Sequence, residues 1–276
     1  MNTPYIVFGA SGLLGRELSK QLRDKDHPIV QINTDNVDIS SVDQVKSLFK
    51  LYAFKEEPII INAAAMTNTK LCQEWPNRCY AVNTLGVLNI LNNISNKQLF
   101  IQLSTNYVFD GLKEEPYTIY DAPNPINTYG YSKYLAEETI KSIHKNYSIV
   151  RTSMLFGKGR NNIVTNIVDK ILKKEPIYTN SIYQFNITYT KDLADWIIHS
   201  YHPIISHVAN YGRCNHAALC TEIVSILNKP VDLIYADNSE EEDIRRPLQS
   251  QIIVNNGYKL LRSWQEAVKD FIETEY

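Results

Sequence analysis

The chain has 276 residues, 44% of them hydrophobic, enough to bury one large or two modest globular cores. Its 28 Lys and Arg against 30 Asp and Glu leave a net charge of −2, so no global field draws it toward nucleic acid or an anionic membrane. There is no basic leader and no apolar run of membrane-spanning length, so a cytoplasmic protein with a pocket-bound small ligand is expected.

The first elements read as strand, turn and helix. Tyr5-Ile6-Val7-Phe8 is a short apolar run, and it leads into Gly9-Ala10-Ser11-Gly12-Leu13-Leu14-Gly15 and an amphipathic stretch from Arg16 to Leu22. A glycine turn between a strand and a helix lets backbone N–H groups approach a pyrophosphate, which marks the start of a dinucleotide-binding unit. Gly9 and Gly12 serve the tight turn, and Gly15 lets the helix pack close on the strand. The spacing of these glycines is that of extended short-chain dehydrogenase/reductase proteins, which the chain resembles from this point.

A second strand is expected over residues 28–33. An acidic residue at its end would hold the adenosine ribose hydroxyls, but Asn33 and Thr34 stand there. With Arg16 able to reach a 2′-phosphate, NADP(H) is the preferred cofactor and NAD(H) is left open; Arg16 as an exposed first-turn residue is the alternative. Asp38, followed by Ile39, is a candidate for the adenine edge or a turn former. Residues 41–53 read as a helix, and Pro58-Ile59-Ile60-Ile61-Asn62 as a parallel strand buried on both faces. That strand ends in Ala63-Ala64-Ala65, small enough for a cofactor to lie across.

Residues 75–96 read as helical, with Val82, Leu85, Leu88 and Leu91 assigned to the core. Asn83 among them either makes structural hydrogen bonds or positions backbone at the cofactor site. The strand over 99–105 delivers Ser104 and Thr105 to the cofactor side of the sheet. After a proline-containing run, Asn127 or Thr128 can cap a helix that places Tyr129 and Lys133 four residues apart on one face. The ammonium would draw the phenol pKa toward neutrality, making a proton donor suited to an alcohol oxygen. Lys133 paired with Glu137 on a solvated face is the alternative.

Further elements are a strand over 147–151, a Gly-Arg-Asn-Asn turn at 159–162 and helices over 162–174, 192–201, 218–227 and 264–274. Residues 237–243 are a charge run, most simply a solvated loop. Cys72, Cys79, Cys214 and Cys220 fit neither a metal knuckle nor a disulfide framework, so idle buried thiols are expected. The alternation predicts an α/β protein with a Rossmann-type doubly wound parallel sheet. Residues 1–152 form its NAD(P)-binding domain. Residues 153–276 form a smaller, mainly substrate-binding domain, with about 186–212 returning to the sheet.

The glycine loop, Asn62-Ala63-Ala64-Ala65, Asn83, the run from Ser104 to Gly111, Tyr129 to Lys133, Arg151-Thr152-Ser153, Asp192-Leu193-Ala194 and Arg246-Pro247 occur together and in order. As a set they resemble the dTDP-4-dehydrorhamnose reductase family, extended short-chain reductases of 4-keto-6-deoxy nucleotide sugars. The resemblance implies that Tyr129 protonates the carbonyl oxygen as hydride arrives from the nicotinamide. It also implies that Lys133 holds the nicotinamide ribose and depresses the tyrosine pKa, and that Thr105 hydrogen-bonds the reacting oxygen.

The cofactor would lie on Gly9, Ser11, Gly12, Leu13, Leu14, Gly15, Arg16, Asp38, Ile39, Ala63, Ala64, Ala65 and Asn83, besides Tyr129 and Lys133. The nucleotide sugar would meet Thr67, Ser104, Asn106, Tyr107, Met154, Gln184 and Arg246. Departures gather on that side: Asn106 replaces the family's usual Asp, Thr69-Lys70 its Val-Asp, and Met154 its Trp. Acidic residues that bridge Mg²⁺ between subunits in some members have no match, Arg16 standing where one is expected, so no metal is predicted. A homodimer is left open. Two other readings follow from the same resemblance. One is a non-catalytic NADP-binding regulator like the β subunit of methionine adenosyltransferase. The other is an epimerase-reductase using Cys72 or His144.

Overall fold

The computed structural model describes residues 3–52, 56–181, 183–200, 204–235 and 260–276. β1 (Tyr5–Phe8) is buried on both faces, the position its unbroken apolar run requires. It pairs in parallel with β2 (Ile29–Ile32) on one side and β3 (Ile59–Asn62) on the other. β4 (Phe100–Thr105) and β5 (Tyr147–Thr152) follow, then the short β6 (Leu155–Phe156), β7 (Ile177–Thr179) and β8 (Thr188–Tyr189). β9 (Ile204–His207) rejoins the main sheet, and β10 (Leu233–Tyr235) pairs with β7. The main sheet has the order β2-β1-β3-β4-β5-β9. Because the chain steps outward from β1 to β2 and then returns to β3 on the other side, a crevice opens at the carboxyl ends of β1 and β3.

The helices are α1 (Leu13–Asp24), α2 (Val42–Leu51), α3 (Thr69–Glu74), α4 (Pro76–Tyr80), a π turn (Ala81–Leu85), α5 (Gly86–Leu91), α6 (Thr128–Ile143), α7 (Ile163–Lys173), α8 (Thr190–Ser200), α9 (His216–Leu227) and α10 (Trp264–Glu275). α1 and α8 cover one face of the sheet through Leu14, Leu18, Leu22, Leu193 and Trp196. α2, α5 and α6 cover the other through Val45, Leu48, Val87, Ile90, Ala136 and Ile140. A second core forms where α7, α9 and α10 meet Phe156 and Tyr189, whose rings stack at 5.1 Å. The charge run at 237–243 lies outside the described residues.

The stretch predicted as one helix over 75–96 differs from expectation. The π turn inserts an extra residue into the ladder and rotates the faces. Leu85 is consequently 51% exposed rather than core, and the buried side passes through Asn83, Val87, Ile90 and Leu91.

Two glycines set the loop after β1. Gly9 has φ +74°, and a Cβ there would come within 2.6–2.8 Å of the Ala63–Ala64 backbone. A Cβ on Gly15 would sit 2.1 Å from the Gly9 carbonyl oxygen, so helix and loop touch backbone to backbone. Gly15→Ala is therefore expected to lower stability by roughly 1–3 kcal/mol through a forced backbone shift. Urea unfolding measures it, and an unchanged midpoint would mean the loop yields freely.

Candidate active site

The carboxyl end of β4 carries Thr105 into the crevice, and a single 3-10 turn, Asn106–Val108, redirects the chain after it. Opposite, Asn127 caps α6 by accepting from the Gly130 N–H at 2.8 Å, which fixes the first turn of that helix. Tyr129 and Lys133 stand one turn apart and are almost wholly buried. Both line a cavity of about 700 Å³ together with Thr105, Asn106, Tyr107, Thr67, Met154 and the loop residues Gly12, Leu13, Leu14 and Gly15. Thr105 hydrogen-bonds the Tyr129 hydroxyl. The Tyr107 ring meets the Tyr129 ring edge-on at 5.6 Å.

The electrostatics correct the sequence expectation for the tyrosine. Burial pushes the Tyr129 pKa up to about 12, against the opposing hydrogen bond from Thr105. The Lys133 ammonium donates to the Leu103 carbonyl at 2.6 Å. Burial brings its own pKa down to about 8, while Glu137 works the other way. Desolvation acts on both groups in favour of their neutral forms.

A second cavity of about 290 Å³ lies over the ends of β1 and β2, lined by Gly9, Ser11, Gly12, Asn33, Thr34, Asp38, Ile39, Ala63, Ala64, Ala65, Arg78 and Arg160. Asn33 closes the glycine loop by accepting from the Ser11 N–H at 2.6 Å. Asn62 steadies the alanine run, accepting from the Ala64 N–H at 3.1 Å and donating to Gln102 at 2.9 Å. Asp38 accepts from Ser40 and pairs with Arg78 at 2.8 Å; burial alone would raise its pKa, but these bonds hold it below the usual carboxylate value. The loop leaves room for backbone-close phosphate and the alanines for a flat ligand, so the residues fit a dinucleotide.

Several predicted residues stand elsewhere. Arg16 turns back, its Nε donating to the Ser11 carbonyl at 2.9 Å, and lines neither cavity; Arg78 and Arg160 are the cations on the adenosine-side cavity. Asn83 lies beneath the site, bonded at 2.8 and 3.0 Å to Met66 and at 2.9 Å to Ser132, so it positions backbone and does not line the groove. Ser104 borders the cavity, but its hydroxyl donates to Glu137. Gln184 lines neither cavity, and Arg246 lies outside the described residues.

Glu137 is wholly buried rather than on a solvated face, and it pairs with Arg151 at 2.6 Å. Sequence reasoning missed this pair because the partners lie on different elements and nothing in their spacing joins them. It also missed Arg78, one turn before Asn83, and read Arg160 only as part of a turn. Cys72 and His144 line neither cavity. Burial pushes the Cys72 thiol up to about 12, and His144 bonds the Gln98 carbonyl at the far end of α6.

The family model described as "RmlD substrate binding domain" matches residues 3–276. The chain is 29% identical to "Spore coat polysaccharide biosynthesis protein SpsK" of Bacillus subtilis (strain 168), over 98% of this chain and 97% of that one. It is 30% identical to a dTDP-4-dehydrorhamnose reductase of Aggregatibacter actinomycetemcomitans, over 75% of this chain and 70% of that one. Among solved structures, dTDP-4-dehydrorhamnose reductase of Bacillus anthracis str. Ames in complex with NADP superposes with a TM-score of 0.92 at 29% identity, covering 99% of this chain and 100% of that one. With a Rossmann-type sheet, a glycine-loop groove and a Thr-Tyr-Lys cavity beside it, the chain belongs to the RmlD substrate binding domain family.

Proposed function

We propose that the protein is an oxidoreductase that reduces the C4 keto group of a nucleotide-activated 4-keto-6-deoxysugar with NADPH, in deoxysugar or surface-polysaccharide synthesis. The observation that carries this reading is the convergence of Thr105, Tyr129 and Lys133 on one cavity contiguous with the dinucleotide groove. The relatives named as dTDP-4-dehydrorhamnose reductases, and the one crystallised with NADP, support the substrate class and the cofactor.

When bound along Gly9 to Gly15 and Ala63 to Ala65, the cofactor supplies the hydride. Thr105 and Tyr129 hold the keto oxygen between two hydroxyls. As negative charge develops there, Tyr129 delivers its proton. With a pKa of about 12, the phenol is fully protonated at neutral pH. It is still more acidic than the alcohol that an alkoxide forms on taking a proton, so the transfer runs downhill. Lys133 holds the nicotinamide ribose from the floor of the cavity. The second core, reaching the cavity through Met154 and Ile163, covers the sugar.

NADPH oxidation with a panel of dTDP-, UDP- and GDP-4-keto-6-deoxysugars tests the reading. Turnover with one sugar that is lost in Tyr129→Phe supports it; NADPH binding without reduction of any sugar counts against it and favours the regulatory alternative.

The lysine predicts a pH profile. Lys133 is a cation below its pKa and neutral above it, and burial brings that pKa to about 8. If the charged form is the active one, kcat/KM falls as pH rises through about 8, because this parameter reports groups of the free enzyme. Tyr129, near 12, adds no break below that limb. Lys133→Arg stays charged and should lose the limb; a limb that persists in this variant assigns it to another group.

A further inference from the structure

The cavity of the Thr-Tyr-Lys site and the cavity over β1 and β2 share Gly12, Ala63, Ala65 and Arg160. A dinucleotide running from one chamber to the other crosses that shared wall with the group that joins its halves, the diphosphate. Gly12 is the N-cap of α1, but a helix N-terminus supplies only partial positive charge. Arg16 is bonded to Ser11 and Arg78 is paired with Asp38, whereas Arg160 is exposed and, among the described residues, has no carboxylate partner. It is the full positive charge at the junction.

Its turn is held in place from both ends. Gly159 takes φ +104° against the Arg16 guanidinium, whose Nη1 would lie 3.2 Å from a Cβ at this position. Asn162 donates to the carbonyl oxygens of Gly157 and Arg160 at 2.9 Å each and caps α7 as well. Arg16, the side chain assigned from sequence to a phosphate, instead packs against the turn that carries Arg160. We infer that Arg160 binds the diphosphate of the dinucleotide and, standing on the wall between the chambers, straps the cofactor beneath the substrate. This rests on the NADPH reading proposed above.

The test is NADPH binding followed by intrinsic tryptophan fluorescence in wild type, Arg160→Met and Arg160→Lys, with the KM of the nucleotide sugar measured alongside. Arg160→Met is expected to weaken NADPH binding about 10- to 100-fold, as loss of a charge-assisted contact does. Arg160→Lys should recover most of that affinity, and an exposed side chain predicts unchanged melting temperatures. NADPH affinity within about twofold of wild type in Arg160→Met overturns the inference. An unchanged NADPH affinity with a raised sugar KM overturns it too, and gives the charge to the substrate's diphosphate. Wild type that binds no NADPH refutes the underlying reading, an outcome distinct from either.

Discussion

Tyr129→Phe is expected to lower kcat by roughly 100- to 10,000-fold, the usual contribution of a positioned general acid. The phenyl ring keeps the contacts of the native one, since Tyr107, Cys72, Cys79 and Met66 pack against carbon. What disappears is the hydroxyl that Thr105 bonds and that faces the cavity. Loss of one such hydrogen bond changes stability by only about 1 kcal/mol, so a large fall in rate without unfolding is diagnostic. In the proposed reaction the phenol protonates an alkoxide that forms only as the reaction proceeds, so kcat should fall far more than NADPH affinity changes. Single-turnover NADPH oxidation, with binding measured in parallel, gives both quantities. A kcat within about threefold of wild type would remove Tyr129 from the proton transfer.

The second large effect is on stability. Arg151 Nε and Nη2 contact Glu137 at 2.6–3.2 Å, both side chains are at most 1% exposed, and Ser104 donates to the same carboxylate. The guanidinium also lies 5.1 Å from the Phe109 ring centroid. Arg151→Met removes the ion-pair partner of the buried Glu137, which costs about 3–5 kcal/mol. The double variant Arg151→Met/Glu137→Gln removes both charges and should recover much of that loss. Urea denaturation of the set measures it, and strictly additive losses would show that the two residues do not act as a pair.

The pair also bears on chemistry, because Glu137 raises the Lys133 pKa from one helical turn away. Glu137→Gln should shift the falling limb of kcat/KM to lower pH, and Arg151→Met, by leaving the anion uncompensated, to higher pH. Both variants lose stability, but only an electrostatic link to Lys133 moves the limb in opposite directions.

The sheet and the one-turn spacing of Tyr129 and Lys133 were legible in the sequence because they rest on local rules, whereas Thr105 was joined to them only through the family resemblance. Apolar runs without alternation mark strands covered on both faces, and glycines between strand and helix mark a loop in which Cβ atoms do not fit. A helical repeat joins Tyr129 to Lys133 wherever that helix lies. Long-range placement was not legible. Arg16 and Arg78 are equivalent as basic residues in a sequence, and only the packed loop shows that Arg16 bends back to Ser11 while Arg78 faces the groove.

The same holds for the pKa values. Sequence put an ammonium beside a phenol, but the shifts depend on how much water the fold removes, and burial moved Tyr129 upward and Lys133 downward. Glu137 and Arg151, fourteen positions apart on a helix and a strand, became partners only when α6 was laid against β5. Sequence by itself thus determined the kinds of groups and their local spacing, since periodicity and steric limits act over a few residues. Tertiary structure alone decided which charges meet and which are stripped of water, since Coulomb interaction and desolvation depend on distance and burial in space.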